Sequence, residues 1–538
     1  MVKETNEAKH SKLAIWQPFL FAVVASIGMF AGFKMKDAAP TTKFIRMTDS
    51  LSYGNPGTVE EIIRYVDAKY VDDKDMVQLK ENAIQAVLDE LDPHSTWIPE
   101  KKLTSYLERM EGEYHGIGAD IILYRDTPVV VKMLQECPAR EAGLAIHDRI
   151  VSVNDSILTT GKRSFNQING LLKGQKGEIL KLIVNRDKAS VAIPIEVEIK
   201  TLPIESVDVA LMLNDDTGII RILRFSKHTY REFMEQVEKL YNDEGMRNLI
   251  IDVRGNPGGY MQEVINIMSQ FFEQNDILLV YTEGRNANRI EYKSTGKQFF
   301  RIEEIVVLLD ENSASGSEIM AGTLQDLNRA TIIGRRSFGK GLVQEQYKLS
   351  DGSALRLTTS RYYTPSGRSI QKSFDNDTAY DNDYLTRLHS GELFIQDSIT
   401  STDTIQYFTK SGKEVFSGMG VIPDVFVAAD KGKTDPLYPS FFPLTMEYAY
   451  MIFQKNEREF ISKSNVEVYE KVDMNNFISW AGLKGYHLPK KEKEILIEAL
   501  HTDIAGRLVD LVKGTDEMNK FLFNSDPFIE AAKESLSK

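Results

Sequence analysis

From Thr217 onward the chain alternates short apolar runs with amphipathic stretches, and this alternation restricts the fold more than any other feature. Residues 218–224, 248–253, 277–281 and 305–310 read as strands, and helices start near Thr229, Gly258 and Ser315. Strand–helix alternation of this kind builds an α/β layer architecture. The chain has 538 residues, too many for one ordinary domain, and suggests three or four units. Its net charge of -13 argues against a nucleic-acid binder, whose footprint would be basic. The one cysteine, Cys137, excludes an internal disulfide framework and a multi-cysteine zinc site. The eight histidines lack any His-Glu-x-x-His spacing, so neither a metal nor another cofactor is expected.

Other units flank the alternating region. Residues 13–33 are almost wholly apolar, long enough to cross a bilayer as a helix, and Lys3, Lys9 and Lys12 precede them. The expectation is a membrane anchor (1–36), with the rest of the chain outside the cytoplasm, in the periplasm of a two-membrane cell. A polar linker (37–57) follows. Residues 58–114 read as a helical unit, with Thr58 and Glu61 as a capping box and Val59, Ile62, Ile63 and Val66 on one face. Residues 115–200 change to five short strands and two short helices. Gly116, Ile117, Gly118 and Ala119 form a loop before the first strand whose backbone N–H groups suit a C-terminal carboxylate, while the strand edge beside it suits an extended peptide. Residues 201–430 hold the alternating region, including a polar, acidic insertion at 372–403. Beyond 430 helical periodicity returns, as in Leu496, Leu500, Ile504, Leu508 and Leu511.

Two strand-to-helix junctions are candidates for chemistry. At the first, Ile250-Ile251-Asp252-Val253-Arg254-Gly255-Asn256-Pro257-Gly258-Gly259, a buried strand ends in paired glycines. Unpaired N–H groups at a helix start stabilise developing negative charge. At the second, Ser313, Ala314, Ser315, Gly316 and Ser317 follow a strand, and a hydroxyl there sits in a positive field. The spacing does not select one of the three serines, and either junction also suits a plain turn or N-cap. Downstream, Ser337-Phe338-Gly339-Lys340-Gly341 nearly spells a phosphate-binding loop, but Gly341 replaces the magnesium-ligating hydroxyl and a strand follows where a helix is needed. An extended segment would instead turn Lys340 and Gln344 to one face, where a buried, neutral amine can act as a base.

Taken together these segments resemble the C-terminal processing peptidases, or tail-specific proteases, from about Thr58 to Asp430. Leu91-Asp92-Pro93-His94-Ser95, Pro138-Ala139-Arg140-Glu141-Ala142-Gly143-Leu144, the two junctions, Phe338 to Gln344, Leu357 to Arg368 and Gly420-Val421-Ile422-Pro423-Asp424 occur in the family's order. The resemblance implies an α/β peptidase core with an inserted PDZ domain, to which the periodicity read above adds an N-terminal helical unit and a mainly helical C-terminal extension. It implies Ser315 as nucleophile, Lys340 as base, Gln344 as the residue that orients the lysine, and oxyanion donors at the backbone of Gly316 and of Gly258 or Gly259. Gly316 departs from the alanine usual after the nucleophile, and leaves the backbone donor in place. The expected substrates are proteins with unstructured C-terminal tails, recognised by the PDZ module. The extension beyond Asp430 has no role in the resemblance; homo-oligomerisation and partner binding stay open for it. The competing readings are a non-catalytic PDZ scaffold and a crotonase-like acyl-transfer enzyme, whose oxyanion hole also lies at helix N-termini.

Overall fold

The apolar runs that open each alternation come together in one mostly parallel sheet, and the other units are arranged around it. The structure is a computed structural model describing residues 57–159, 163–186, 192–374, 380, 382–399, 405–489 and 493–537. The apolar stretch 13–33 and nearly all of the linker lie outside the described residues. Among the described residues no helix is long and apolar enough to cross a membrane.

Helices α1 (Thr58–Lys69) and α2 (Met76–Asp89) lead to β1 (Thr96–Ile98), α3 (Glu100–Glu111) and β2 (Glu113–Gly116). The capping box expected at Thr58 does not form. Gly57 is the N-cap, so Thr58 lies inside the helix, one position too late for its hydroxyl to cap it. The apolar stripe of α1 stays open as well, with Val59 63% and Ile62 56% exposed. By contrast α2 starts on a formed cap, Asp75, whose carboxylate accepts from Val77 and Gln78 N–H.

A strand-rich module follows. Strands β3 (Ala119–Tyr124), β4 (Thr127–Met133), β5 (Arg149–Val153), β6 (Ser156–Ile157), β7 (Ile179–Asn185) and β8 (Ala192–Glu198) form an antiparallel sheet, with helices α4 (Pro138–Glu141) and α5 (Phe165–Leu171) between them. Strand β9 (Lys200–Pro203) returns the chain by pairing with β2. Successive side chains of a strand point to opposite faces. Ile121 of β3 therefore enters the module's own core, while Ile122 and Tyr124 join a second core shared with the C-terminal helices.

The alternating region contributes β10 (Val207–Met212), β11 (Thr217–Ile222), α6 (Thr229–Asn242), β12 (Asn248–Asp252), α7 (Met261–Ser269), β13 (Asn275–Gly284), β14 (Ala287–Thr295), β15 (Ile305–Leu309), α8 (Gly316–Asp326), β16 (Thr331–Gly334), β17 (Leu342–Lys348), β18 (Ala354–Tyr363), α9 (Asp383–His389), β19 (Tyr407–Phe408), β20 (Glu414–Val415) and β21 (Val425–Phe426). Its main sheet has the order β10-β11-β12-β15-β16-β21, parallel except for β10. Both faces are covered, which explains why β12 and β15 read as unbroken apolar runs. On one side Ile251 and Val307 meet Phe233 of α6, Val264 of α7 and Ile319 of α8. A second sheet holds β1, β18, β13 and β14, with β17 also on β18.

One expectation changes here. Helix α7 starts at Met261, three residues after the expected Gly258, because Gly258 and Gly259 have φ of 95° and 148°, outside the helical range. They run instead as an extended bridge against Phe225. The described part of the 372–403 segment is anchored in the core at Lys372, Tyr380, Arg387, Glu392 and Leu393, while Leu385, Thr386 and residues 395–397 stay exposed. Lys372 is buried over the rings of Phe338 and Tyr380 and pairs with Asp383 at 2.9 Å, while Arg336 and Arg387 share the buried Glu392. Polar residues are buried there because their charges are paired.

The chain ends in α10 (Tyr438–Ile461), α11 (Asn465–Glu470), α12 (Met474–Leu483), α13 (Glu494–Lys513), α14 (Thr515–Phe523) and α15 (Pro527–Leu536). The i, i+4 stripe Leu496, Leu500, Ile504 and Leu508 of α13 is buried. Helix α15 covers the other face of the main sheet, with Phe528 and Ile529 against Ile250, Val306 and Leu308. Leu500 is fully buried; Leu500→Ala should cost about 2–5 kcal/mol by loss of transfer energy and the cavity left behind, read from chemical denaturation.

Candidate active site

Strands β12 and β15 are parallel neighbours, with Asp252 paired to Leu308, so both junctions emerge at the same end of the sheet. Asn256 ties them together. Its carbonyl accepts from Ala314 N–H at 2.9 Å and Ser317 Oγ at 3.0 Å, and its amide donates to Ile222 O. Gly258 then packs so closely that a Cβ there would lie 2.7 Å from Ser315 Cβ and 2.8 Å from Gly316 N. Only glycine allows this approach. At Gly259 a Cβ would fall 2.0 Å from Phe225 O.

The three serines separate by environment. Ser313 and Ser317 are fully buried, and their hydroxyls donate to the carbonyls of Val253 and Asn256. Ser315 alone of the three is partly exposed. It sits at φ 52°, ψ -109°, a conformation that costs a residue with a Cβ about 1–3 kcal/mol and persists only where its surroundings over-determine it. Of the expected backbone donors, Gly258 N–H is already given to Asn256 Oδ1 at 2.8 Å. The N–H groups of Gly259 and Gly316 have no acceptor among the described residues.

Lys340 reaches this junction from the loop before β17. Its backbone N–H and that of Ser315 donate to the same oxygen, Glu318 Oε2, each at 2.8 Å, so the two nitrogens lie within twice that distance of one another. The Tyr362 hydroxyl lies 2.5 Å from Lys340 O and 3.2 Å from Ser315 O. Burial, then the positive Arg356, brings the Lys340 amine down to about 8, against the opposing pull of Glu318 and Asp92. Burial likewise pushes Glu318 up to about 7, although both its oxygens accept hydrogen bonds. His94 is drawn down to about 4, first by burial and then by Lys340, and is neutral at physiological pH. Its ring contacts the Tyr380 hydroxyl at 2.6 Å and stacks edge-on with Phe338.

Gln344 is placed differently from expectation. Lys340 precedes β17, and a bulge falls between Val343 and Gln344, so the two do not share one face of a strand. The Gln344 amide instead contacts Thr358 Oγ1 at 3.4 Å, which donates to Asp92 Oδ1. In the strand-rich module, Gly116 ends β2, Ile117 is buried, and the carbonyls of Ile117 and Gly118 accept from Ala139 and Leu134. Gly118 has φ 78° and backs onto Cys137, and Ala119 begins β3. Sequence reasoning did not single out Glu318, Tyr362, Tyr380, Asp92 or His94 as site residues. The Glu at the third helical position after Ser315 is a capping-box signal that pointed to the first of these.

The profile of peptidase family S41 matches residues 216–380, spanning both junctions and the Lys340 loop. The carboxy-terminal-processing protease of Bartonella bacilliformis is 31% identical over 342 residues, covering 62% of this chain and 77% of that protein. The chain belongs to peptidase family S41. Carboxy-terminal processing protease CtpB of Bacillus subtilis is 30% identical over 354 residues, 64% of this chain and 72% of its own. Among solved structures, the photosystem II D1 C-terminal processing protease covers 68% of this chain and 91% of its own length at 24% identity and a TM-score of 0.33. On the family profile and the curated relatives, this S41 member is a serine peptidase of the carboxy-terminal processing type, which excludes the acyl-transfer and scaffold alternatives.

The three serines give a test. Ser315→Ala should abolish labelling by a fluorophosphonate probe with little change in stability. Ser313→Ala and Ser317→Ala should still label but lose about 0.5–1.5 kcal/mol, because each removes one of the two hydrogen bonds to a buried carbonyl.

Proposed function

We propose that this S41 peptidase cleaves protein substrates at or near their C-termini with Ser315 as nucleophile and Lys340 as general base. The observation that carries the reading is the shared acceptor: one buried carboxylate oxygen holds the backbones of both residues, 25 positions apart in sequence. Burial supports it further, since an amine brought down to about 8 is available as a neutral base near physiological pH. In this scheme neutral Lys340 takes the proton of Ser315 Oγ as the oxygen attacks the scissile carbonyl. The developing oxyanion is met by the free N–H groups of Gly259 and Gly316. The lysine ammonium gives its proton to the departing amine, leaving an acyl-enzyme. Water then attacks the ester, losing its proton to Lys340, and Ser315 is released. Gln344 orients no lysine in the conformation described, so its contribution would require a shift of β17.

The strand-rich module is read as a PDZ domain that captures the substrate's unstructured tail. Support comes from β3, the edge strand of its sheet, and from the adjoining turn at Ile117 and Gly118, a pairing of features suited to β-strand addition and carboxylate capture. Residues 13–33 are read as a single membrane anchor with the peptidase on the extracytoplasmic side.

The amine must be neutral to act, so kcat/KM on a tail-tagged substrate should rise with pH and level off above about 8. Lys340→Ala should remove turnover, and normal turnover in that variant would eliminate the proposed base.

A further inference from the structure

The dyad reading leaves two buried groups without a part in the chemistry, yet both touch both of its members. Glu318 is the third residue of α8 and fully buried. A glutamate at that position commonly reaches back to the N-cap N–H, and here Oε2 does so at Ser315. An ordinary cap would stop there. Instead, the same oxygen accepts from Lys340 N–H, and Oε1 accepts from Gly339 N–H at 2.6 Å and from the Ser337 hydroxyl. Three donors, the Ser337 hydroxyl and the Gly339 and Lys340 N–H groups, are thus drawn from the lysine loop onto one side chain of the serine helix. Tyr362, on β18 and almost fully buried, lies opposite, with its hydroxyl between the carbonyls of Ser315 and Lys340. The polar backbone atoms of Ser315 are therefore gripped at both ends, N–H by Glu318 and C=O by Tyr362, and each grip extends to Lys340.

We propose that Glu318 and Tyr362 are the positioning residues of this peptidase: they hold Ser315 in its strained conformation and fix its register to Lys340. The proposal rests on the dyad reading and deepens it. Serine with a Cβ at φ 52° and ψ -109° relaxes unless its neighbours prevent it. Both of its backbone polar groups are held, and the holding atoms belong to elements, α8 and β18, that are themselves packed into the core. Glu318 has a second effect, through charge. The groups facing the Lys340 amine are Arg356 on β18, Asp92 in the loop before β1, Glu318 on α8, and His94, which is neutral and is itself faced by Lys372. Of these, Glu318 and Asp92 favour the ammonium, and Arg356 opposes it. Replacing the Glu318 carboxylate by an amide keeps the size, supplies a donor where four donors converge, and removes one of the two charges that hold the proton on Lys340.

The test compares Glu318→Gln and Tyr362→Phe in the full chain, with kcat, KM and the pH profile measured on a tail-tagged substrate. Displacing a reacting group by about 1 Å costs about 10²-fold in rate. Glu318→Gln should lower kcat on that scale with KM little changed, and should move the acid limb of kcat/KM to lower pH. Tyr362→Phe removes one oxygen and no charge, so it should lower kcat with the limb unmoved. A role in folding alone would reduce the amount of active enzyme, as counted by fluorophosphonate titration, and would move no limb. An unmoved limb in Glu318→Gln, or wild-type kcat per titrated site in Tyr362→Phe, overturns the proposal; the second measurement stands even if the glutamine variant does not fold. Ser315→Ala and Lys340→Ala run beside them. Activity surviving in those two removes the dyad itself, whereas their inactivity alongside unaffected Glu318→Gln and Tyr362→Phe removes only the positioning role.

Discussion

The Glu318 carboxylate, buried and surrounded by four donors, is the interaction on which the arrangement of the site depends. Taking a carboxylate out of water is costly unless each oxygen is hydrogen-bonded, and here both are. The donors come from two stretches of chain, the start of α8 and the loop before β17. Satisfying the carboxylate therefore brings those stretches together, and Ser315 and Lys340 with them. Ser337 extends the contact, because its hydroxyl also accepts from Val421 N–H and so ties in the segment before β21.

Around that point, the sheet supplies geometry and glycine supplies access. Parallel pairing of β12 with β15 delivers two chain reversals to one edge, and Asn256 binds them into a unit. Asn256 also takes the Gly258 N–H, so the close approach of that glycine to Ser315 serves packing, while the Gly259 N–H has no acceptor among the described residues. The two adjacent glycines thus have different physical tasks. A Cβ at either position would collide, one with the serine and the other with the Phe225 backbone.

The walls of the site come from distant parts of the chain. The Asp92–Ser95 turn reaches it from the N-terminal side, and Tyr380 and Lys372 reach it from the 372–403 segment. Together they exclude water from Lys340 and His94, and this burial lowers the proton affinity of both. At the same end of the main sheet's strands, Arg254 pairs with Asp252 and with Asp526, the N-cap of α15, so the C-terminal helices are fastened to the first junction.

The sequence alone determined the alternating α/β core, the strand-rich module and the helical end, because apolar periodicity is local: β12 is apolar between its ends and β15 throughout. Through family resemblance it also pointed to Ser315 and Lys340. It misread the start of α1, where one residue separates a cap from a first turn, and it did not reveal which polar residues of the 372–403 segment are buried. Only the tertiary structure decided those, since Lys372, Arg387 and Glu392 are buried by partners whose positions no local pattern encodes. It also decided which serine remains exposed, which glycine keeps its N–H, and that Gln344 faces Thr358. The physical reason is the same each time: hydrogen bonds and burial are set by what lies across space, and Glu318 meets Gly339 and Lys340 only after the sheet has formed.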